Sequence, residues 1–213
     1  MLEIAPLIVR DTQDVETALS KIGLTREIVV EVALSAAAAR ADSLPVDPSS
    51  APGMLSYIYG VRAIRMNLLK RGWRESRQGN VEATVNDEVG VQLCFQNVDV
   101  ACNDFKKPHA ISGKGTASRS LVAAGQGELF GSPTDITNAG VFGNTPTVWV
   151  ICVSVEDFTV RAEVSCPKIF EGQQFEDFHQ RIFVLDESFE PTIEPNGTTG
   201  ESADDFDVEI SKK

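Results

Sequence analysis

The chain has 213 residues, 42% hydrophobic and 23% charged, with a formal net charge of −12. That length and ordinary composition exclude a disordered or fibrous chain. They point to one large domain, or one domain with tails, able to bury a core without disulfide staples.

No apolar run approaches the ~18 residues needed to cross a bilayer, so no membrane partner is expected. The opening MLEIAPLIVRDTQD has neither the basic start nor the sustained apolar core of a secretory signal. Charge is unevenly spread. Met54 to Arg119 carries ten Lys/Arg against six Asp/Glu, a block of +4, while the remainder is −16. Acidity therefore concentrates toward the two ends, and the middle is able to meet a polyanion. Cys94, Cys102, Cys152 and Cys166 form no CxxC pair and read as reduced, mostly buried thiols of a cytosolic protein. His109 and His179 lack the spacing of zinc ligands, so no metal or cofactor is expected.

In chain order, Asp11 to Ile22 predicts a short helix. Asp11 can cap it, Val15, Leu19 and Ile22 form a stripe, and Gly23 can close it. A second helix is predicted from Thr25 to Asp42, with Thr25 as N-cap, Glu27 at the positive end of the dipole, and Ile28, Val32, Ala36 and Ala39 on a narrow face. SLPVDPSSAPG, residues 43–53, breaks regular structure with three prolines. The strongest helical signal is Gly53 to Arg71, where Tyr57, Val61, Ile64 and Leu68 recur at helical spacing with Met54 and Ile58 beside them. Gly72 suits a left-handed C-terminal cap, with Trp73 folding back on Leu68.

Alternation then changes to period two. Val81–Asn86 and Val89–Phe95 predict strands joined by a turn at Asn86-Asp87-Glu88. From Asn97 to Asn144 the alternation stops, and so long an irregular stretch suggests a functional segment, with a short helix at Ala117–Ala124. The runs Val148–Val155 and Phe158–Val164 meet across Glu156-Asp157 as a β-hairpin. The first run is apolar on both faces and predicts a central strand. In the second, Phe158, Val160, Ala162 and Val164 are expected to face the core, and Thr159, Arg161, Glu163 and Ser165 to face water. His179–Leu185 adds a fifth strand. Residues 191–213 carry an acidic cluster and little apolar content, which predicts disorder.

The fold class that results is α+β: an antiparallel sheet of about five strands packed against a long amphipathic helix, with two N-terminal helices and a disordered acidic C-terminal tail. The expected organisation is a helical segment and Pro-rich strap over 1–52, a core domain over 53–190, and the tail over 191–213.

Gln126-Gly127-Glu128-Leu129-Phe130 has the form Q-x-x-L-F. It resembles the pentapeptide by which many bacterial DNA-processing proteins dock on the ring-shaped DNA sliding clamp. The resemblance implies that Leu129 and Phe130 enter an apolar pocket and that Gln126 fixes the register, with Glu128 in the acidic third position. Gly127 removes one apolar anchor. The alternative is that Leu129 and Phe130 fold onto the chain's own core. Ala51-Pro52-Gly53, Arg71-Gly72-Trp73, the run from Asn80 to Thr84, Gly113-Lys114-Gly115 and the Trp-containing hairpin extend the similarity over most of the chain. Together they resemble an uncharacterised family of small proteins encoded on bacterial phages and integrative elements. That resemblance implies a mobile-element setting in the bacterial cytoplasm and no catalytic residues.

Arg62, Arg65, Lys70, Arg71, Arg74 and Arg77 form a basic run around Trp73, able to contact phosphates while Trp73 stacks on a base. The alternative is a solvated face suited to a helix C-terminus. Overall acidity argues for weak or indirect nucleic-acid contact. Lys114 in S-G-K-G-T lacks the spacing of a phosphate loop. Asp99, Asp104, Lys106 and Lys107 have the residue types of a Mg²⁺-dependent nuclease, without a spacing that brings them together. The expected function is thus that of a non-enzymatic mobile-element accessory protein binding a host protein, foremost the sliding clamp. The alternatives are an inhibitor engaging a host defence or DNA-binding protein through acidic surfaces, and the nuclease. Partner identity and oligomeric state are not encoded in any recognisable pattern.

Overall fold

The computed structural model describes residues 5–77, 81–112, 146–171 and 174–189. The chain runs through strand β1 (Leu7–Val9), helices α1 (Thr12–Lys21), α2 (Arg26–Ala41) and α3 (Ala51–Leu68), and a single 3-10 turn at Leu69–Arg71. Strands β2 (Arg74–Ser76), β3 (Ala83–Asn86), β4 (Val91–Asn97), β5 (Thr147–Glu156), β6 (Thr159–Glu171) and β7 (Gln174–Ser188) follow. They form a seven-stranded sheet in the order β1-β7-β6-β5-β4-β3-β2.

The α+β class holds, but the sheet is mixed and not antiparallel. β4 runs parallel to β5, from Val91 opposite Thr147 to Asn97 opposite Val153, and β1 runs parallel to β7. Alternation reports which face a side chain takes and not the direction of the strand. A parallel pair needs a crossover of a dozen or more residues, which the connection 98–146 supplies. The count of five also falls short. β1 and β2 are three-residue edge strands, too short to display a period.

The β5–β6 hairpin pairs Glu156 with Thr159 around Asp157-Phe158, and Asp157 takes a positive φ of 51° that Asp tolerates in a two-residue turn. Phe158, expected on the core face, sits in that turn and is exposed. β5 is covered above and below. Trp149, Ile151 and Val153 belong to the large core under the helices; Val148, Val150 and Cys152 belong to a smaller core on the opposite face, with Ala83, Cys94, Val98 and Ala101. On β6, Val160, Ala162 and Val164 face the helices as expected. The other face is not wet: Glu163 and Ser165 are fully buried, because the stretch after β4 folds across them.

The helices form where their stripes predict. Val15 and Leu19 of α1 are buried, and Asp11 takes the N-cap position although its side chain makes no capping bond. Thr25 Oγ1 accepts the Ile28 amide at 3.5 Å, and backbone hydrogen bonding followed by the Thr25 side chain holds the Glu27 carboxyl below its ordinary range. The face of α2 made by Ile28, Val29, Val32, Ala33 and Ala36 shares one core with Val15, Ala63, Ile64 and Leu68. The elements before and after residue 52 are therefore packed together. Each fully buried Val or Ile there contributes about 1.5–3 kcal/mol. Gly72, at φ 86°, ends the 3-10 turn that follows α3, and the Trp73 amide donates to Leu68 O at 3.3 Å, bringing the indole into the core.

The expected stripe of α3 faces the core, with Ile64 and Leu68 buried and Tyr57 and Val61 packed against the same cluster, while the flanking Met54 and Ile58 lie outside it. Its buried residues are Ser56, Gly60, Ala63, Ile64, Asn67 and Leu68, while Tyr57 and Val61 are half-buried and Met54 and Ile58 are exposed. Small residues face the sheet because the helix lies close to it: a Cβ on Gly60 would fall within 2.6 Å of Cδ2 and Cζ of Phe95. Ser56 Oγ and Gly53 O clasp the Asn97 amide at 2.7 and 2.9 Å, fixing the start of the helix at the end of β4.

Candidate interaction site

The chain leaves β4 at Asn97 and returns on itself at Ala110. Val98 bridges Ala110 in antiparallel fashion, the Asp99 amide donates to His109 O at 2.9 Å, and the Ile111 amide donates to Asn97 O at 3.1 Å. A closed loop of this size, with its ends tied and its body packed, is a compact surface device of a kind often used for recognition.

What lies beneath the loop is unusual. Glu163 and Arg181, from neighbouring β6 and β7, are 0% and 1% exposed. Arg181 Nε and Nη2 donate to the two oxygens of Glu163 at 2.8 and 2.6 Å, a bidentate pair. Ser165 Oγ donates to Glu163 Oε1 at 2.7 Å, and the Cys102 amide donates to Oε2 at 2.7 Å. The remaining guanidinium nitrogen of Arg181 donates to the loop carbonyls of Asn103 at 2.9 Å and Lys106 at 3.2 Å. A buried ion pair gains little net stability over apolar packing, because desolvation offsets most of the attraction. Its effect here is geometric: both members spend their spare hydrogen bonds on the loop backbone.

Further contacts complete the attachment. The Ala101 amide donates to Ser154 Oγ at 3.0 Å, and Asn103 Oδ1 accepts the amides of Phe105 and Lys106 at 2.9 and 2.8 Å. Asp99 Oδ1 accepts the amides of Val100 and His109. Cys102 takes a positive φ of 55°, a conformation costing a non-glycine residue about 1–2 kcal/mol, held by its amide bond to Glu163. Burial first, then the Glu163 charge, push its thiol up to about 12, and burial does the same to Cys166. Neither is a thiolate nucleophile near neutrality. Arg10, just past β1, reaches Asp104 with two bonds of 2.9 and 2.5 Å. Lys107 and Lys168 flank Asp177, and the Phe178 amide together with the two lysines lowers that carboxyl's pKa in spite of its burial. The product of all this fixing is a tip on which Phe105 stands 97% exposed.

The residues singled out in the sequence fall in different places. Gln126, Glu128, Leu129 and Phe130 lie outside the described residues, as do Lys114, the helix expected at Ala117–Ala124 and the tail 191–213. In the basic run, Arg74 pairs with Asp87, Arg65 pairs closely with Glu82, and Arg77 meets Glu75 and Glu82 at 3.3 and 3.4 Å. Arg62 lies over the Tyr59 ring at 4.3 Å, and Lys70 and Arg71 are exposed on the turn after α3. Trp73 is buried, so its ring is not presented for stacking on a base. Asp99 and Asp104 are engaged separately, one inside the loop and one with Arg10. Among the described residues no three His, Cys, Asp or Glu side chains gather to hold a metal, and no helix is long and apolar enough to cross a membrane.

Pattern reasoning turned Glu163 and Ser165 toward water, read Cys102 only as a buried thiol, and passed over Arg181 and Phe105. The available signal was weak: an acidic and a basic residue in two adjoining strands whose alternation assigns both to the same face. The fold and this loop define an α+β domain with a stapled central connection. Comparison with protein-family models, curated proteins and solved structures found no significant match.

Proposed function

We propose that this chain is a non-enzymatic binding protein that meets a host protein through the connection between β4 and β5. The observation that carries the reading is the stapled loop 98–110, whose buried Glu163–Arg181 pair serves to present Phe105 to solvent. An exposed aromatic on a rigid support loses little conformational entropy on binding, as interface anchors require. The same connection carries Gln126, Glu128, Leu129 and Phe130, and the resemblance of that stretch to the clamp-docking pentapeptide makes the bacterial DNA sliding clamp the partner of choice. The similarity to proteins of phages and integrative elements supports a mobile-element accessory role in the bacterial cytoplasm. Nucleic-acid contact is secondary in this reading, since Arg65, Arg74 and Arg77 are occupied by Glu75, Glu82 and Asp87.

The test is recovery of purified sliding clamp on the immobilised full chain. Wild type retains the clamp, Leu129→Ala/Phe130→Ala loses it, and Phe105→Ala weakens it by roughly tenfold, the value of one well-buried anchor. Equal recovery by wild type and the double variant overturns the choice of partner.

A further inference from the structure

Helix α3 is apolar on two sides. Tyr57, Val61, Ile64 and Leu68 serve the large core, but Met54, Ile58, Tyr59 and Met66 are exposed, Met66 at 68%. With the exposed Arg62, these four fall within an arc of roughly 140° at the helical spacing of about 100° per residue, so they form one outward face. Single exposed apolar residues are normal on a monomer, whereas four large ones grouped on one helix mark an interaction surface. Two of them are methionines, whose flexible, polarizable thioethers suit a surface that re-packs around a partner.

Charge narrows the choice of partner. No acidic residue occurs from Pro48 to Arg74, in a chain with 31 Asp/Glu against 19 Lys/Arg. Arg65, Arg74 and Arg77 are met by Glu75, Glu82 and Asp87. Arg62 meets only the Tyr59 ring, and Lys70 and Arg71 just beyond the helix are exposed with no carboxylate beside them among the described residues. Arg62 stands four residues from both Ile58 and Met66, inside the apolar row and not at its rim. Whatever covers the row must set an anion opposite Arg62 or bury that charge unpaired, which is strongly unfavourable. A second copy of this face brings more cations and no carboxylate. Nucleic acid brings phosphates but nothing to cover Met54, Ile58 and Met66. An anionic bilayer repels a chain of net charge −12 and would draw Arg62 below its headgroups. An apolar stripe flanked by carboxylates satisfies both demands.

We propose that the outward face of α3 docks an acidic amphipathic helix of a partner protein, whose apolar residues cover Ile58 and Met66 while carboxylates beside that stripe pair with Arg62. Recognition of one helix by an apolar surface works through such anchors at i, i+3 and i+4 spacing. The carboxylates supply orientation and selectivity, since a basic helix of the same apolar pattern is repelled at Arg62. The face belongs to a different element from the connection between β4 and β5, so its occupation stands apart from the choice of the sliding clamp as partner.

The test is fluorescence anisotropy of two labelled synthetic helices of about 18 residues, titrated with the full chain. One carries a leucine stripe flanked by glutamates, and the other has the same stripe with lysine at every glutamate position. Wild type is expected to bind the acidic peptide at least about tenfold more tightly than the basic one. Arg62→Glu, at an exposed position, is expected to reverse that order. Ile58→Ser/Met66→Ser is expected to weaken the acidic peptide by roughly tenfold with the urea midpoint unchanged. Equal affinity of wild type for the two peptides, or an order that survives Arg62→Glu, overturns the proposal. Retention of the chain on vesicles of anionic phospholipid without measurable binding of the acidic peptide also overturns it, since that result assigns the face to a lipid surface.

Discussion

The two faces of the sheet are closed by different chemistry. On one, α1, α2 and α3 bury a continuous apolar cluster that includes Val29, Val32, Leu68, Ile151 and Ile182. On the other, a loop without regular structure is held by Glu163, Ser165, Ser154 and Arg181 over a smaller apolar cluster. Apolar packing is non-directional and tolerates small shifts of an element. A bidentate ion pair with every hydrogen bond committed permits one placement. The helix side therefore supplies stability, and the loop side supplies a fixed shape at a cost in desolvation.

Breaking the polar side is expected to have the largest effect. Glu163→Ala leaves the Arg181 guanidinium buried without its carboxylate and releases the Cys102 amide, a loss of about 3–5 kcal/mol. Urea denaturation should show the midpoint falling at nearly constant slope. Replacing both partners together, Glu163→Gln with Arg181→Met, is expected to cost less than the single change, because no unpaired charge remains. A double variant as unstable as Glu163→Ala would mean that the pair itself, and not the penalty of orphaning Arg181, carries the stability. Amide exchange in 99–110 should rise in the double variant even where global stability recovers, which separates shape from stability.

The helix side breaks by volume. Gly60→Ala introduces a methyl within 2.6 Å of the Phe95 ring, so α3 must move outward or the ring must turn. The expected cost is about 1–3 kcal/mol, and Phe95→Leu should recover part of it by making room. If Gly60→Ala is neutral, the close approach of α3 to β4 is not what selects small residues on that row.

This contrast also explains what was legible. The hairpin, the helices and the central position of β5 rest on periodic apolar residues such as Val148–Val155, and periodicity is a local property of sequence. The burial of Glu163 and Ser165 depends on a loop whose Cys102 lies 61 residues before Glu163, and nothing local to Thr159–Ser165 reports a covering layer. The small residues on the inward face of α3 were missed for a related reason. The apolar stripe of Tyr57, Val61, Ile64 and Leu68 is periodic and was legible, but Ser56, Gly60 and Ala63 beside it carry no apolar signal, and their small size is what permits close packing on β4. The exposed Phe105 was passed over because a lone aromatic in an irregular stretch has no pattern to belong to.

The smallest expected effect is a difference in acid response, and it also separates the faces. His179 on β7 has its pKa lowered, by burial first and then by the Lys168 charge, while Asp177 two residues earlier is lowered by its amide and lysine partners against its burial. Both shifts run in the same direction, and both mean that the unfolded chain binds protons more readily than the folded one. For His179 the associated stability is complete above the ordinary histidine value of 6.5 and declines as pH falls through it toward the folded value. For Asp177 it is complete above 3.8 and declines below that. The melting temperature should therefore fall in two steps on acidification, a first, small one as pH falls below 6.5 and a second below 3.8. His179→Gln should remove the first step and leave the second. Should the first step survive that substitution unchanged, the proton uptake belongs elsewhere, and burial of His179 beside Lys168 contributes nothing to acid sensitivity.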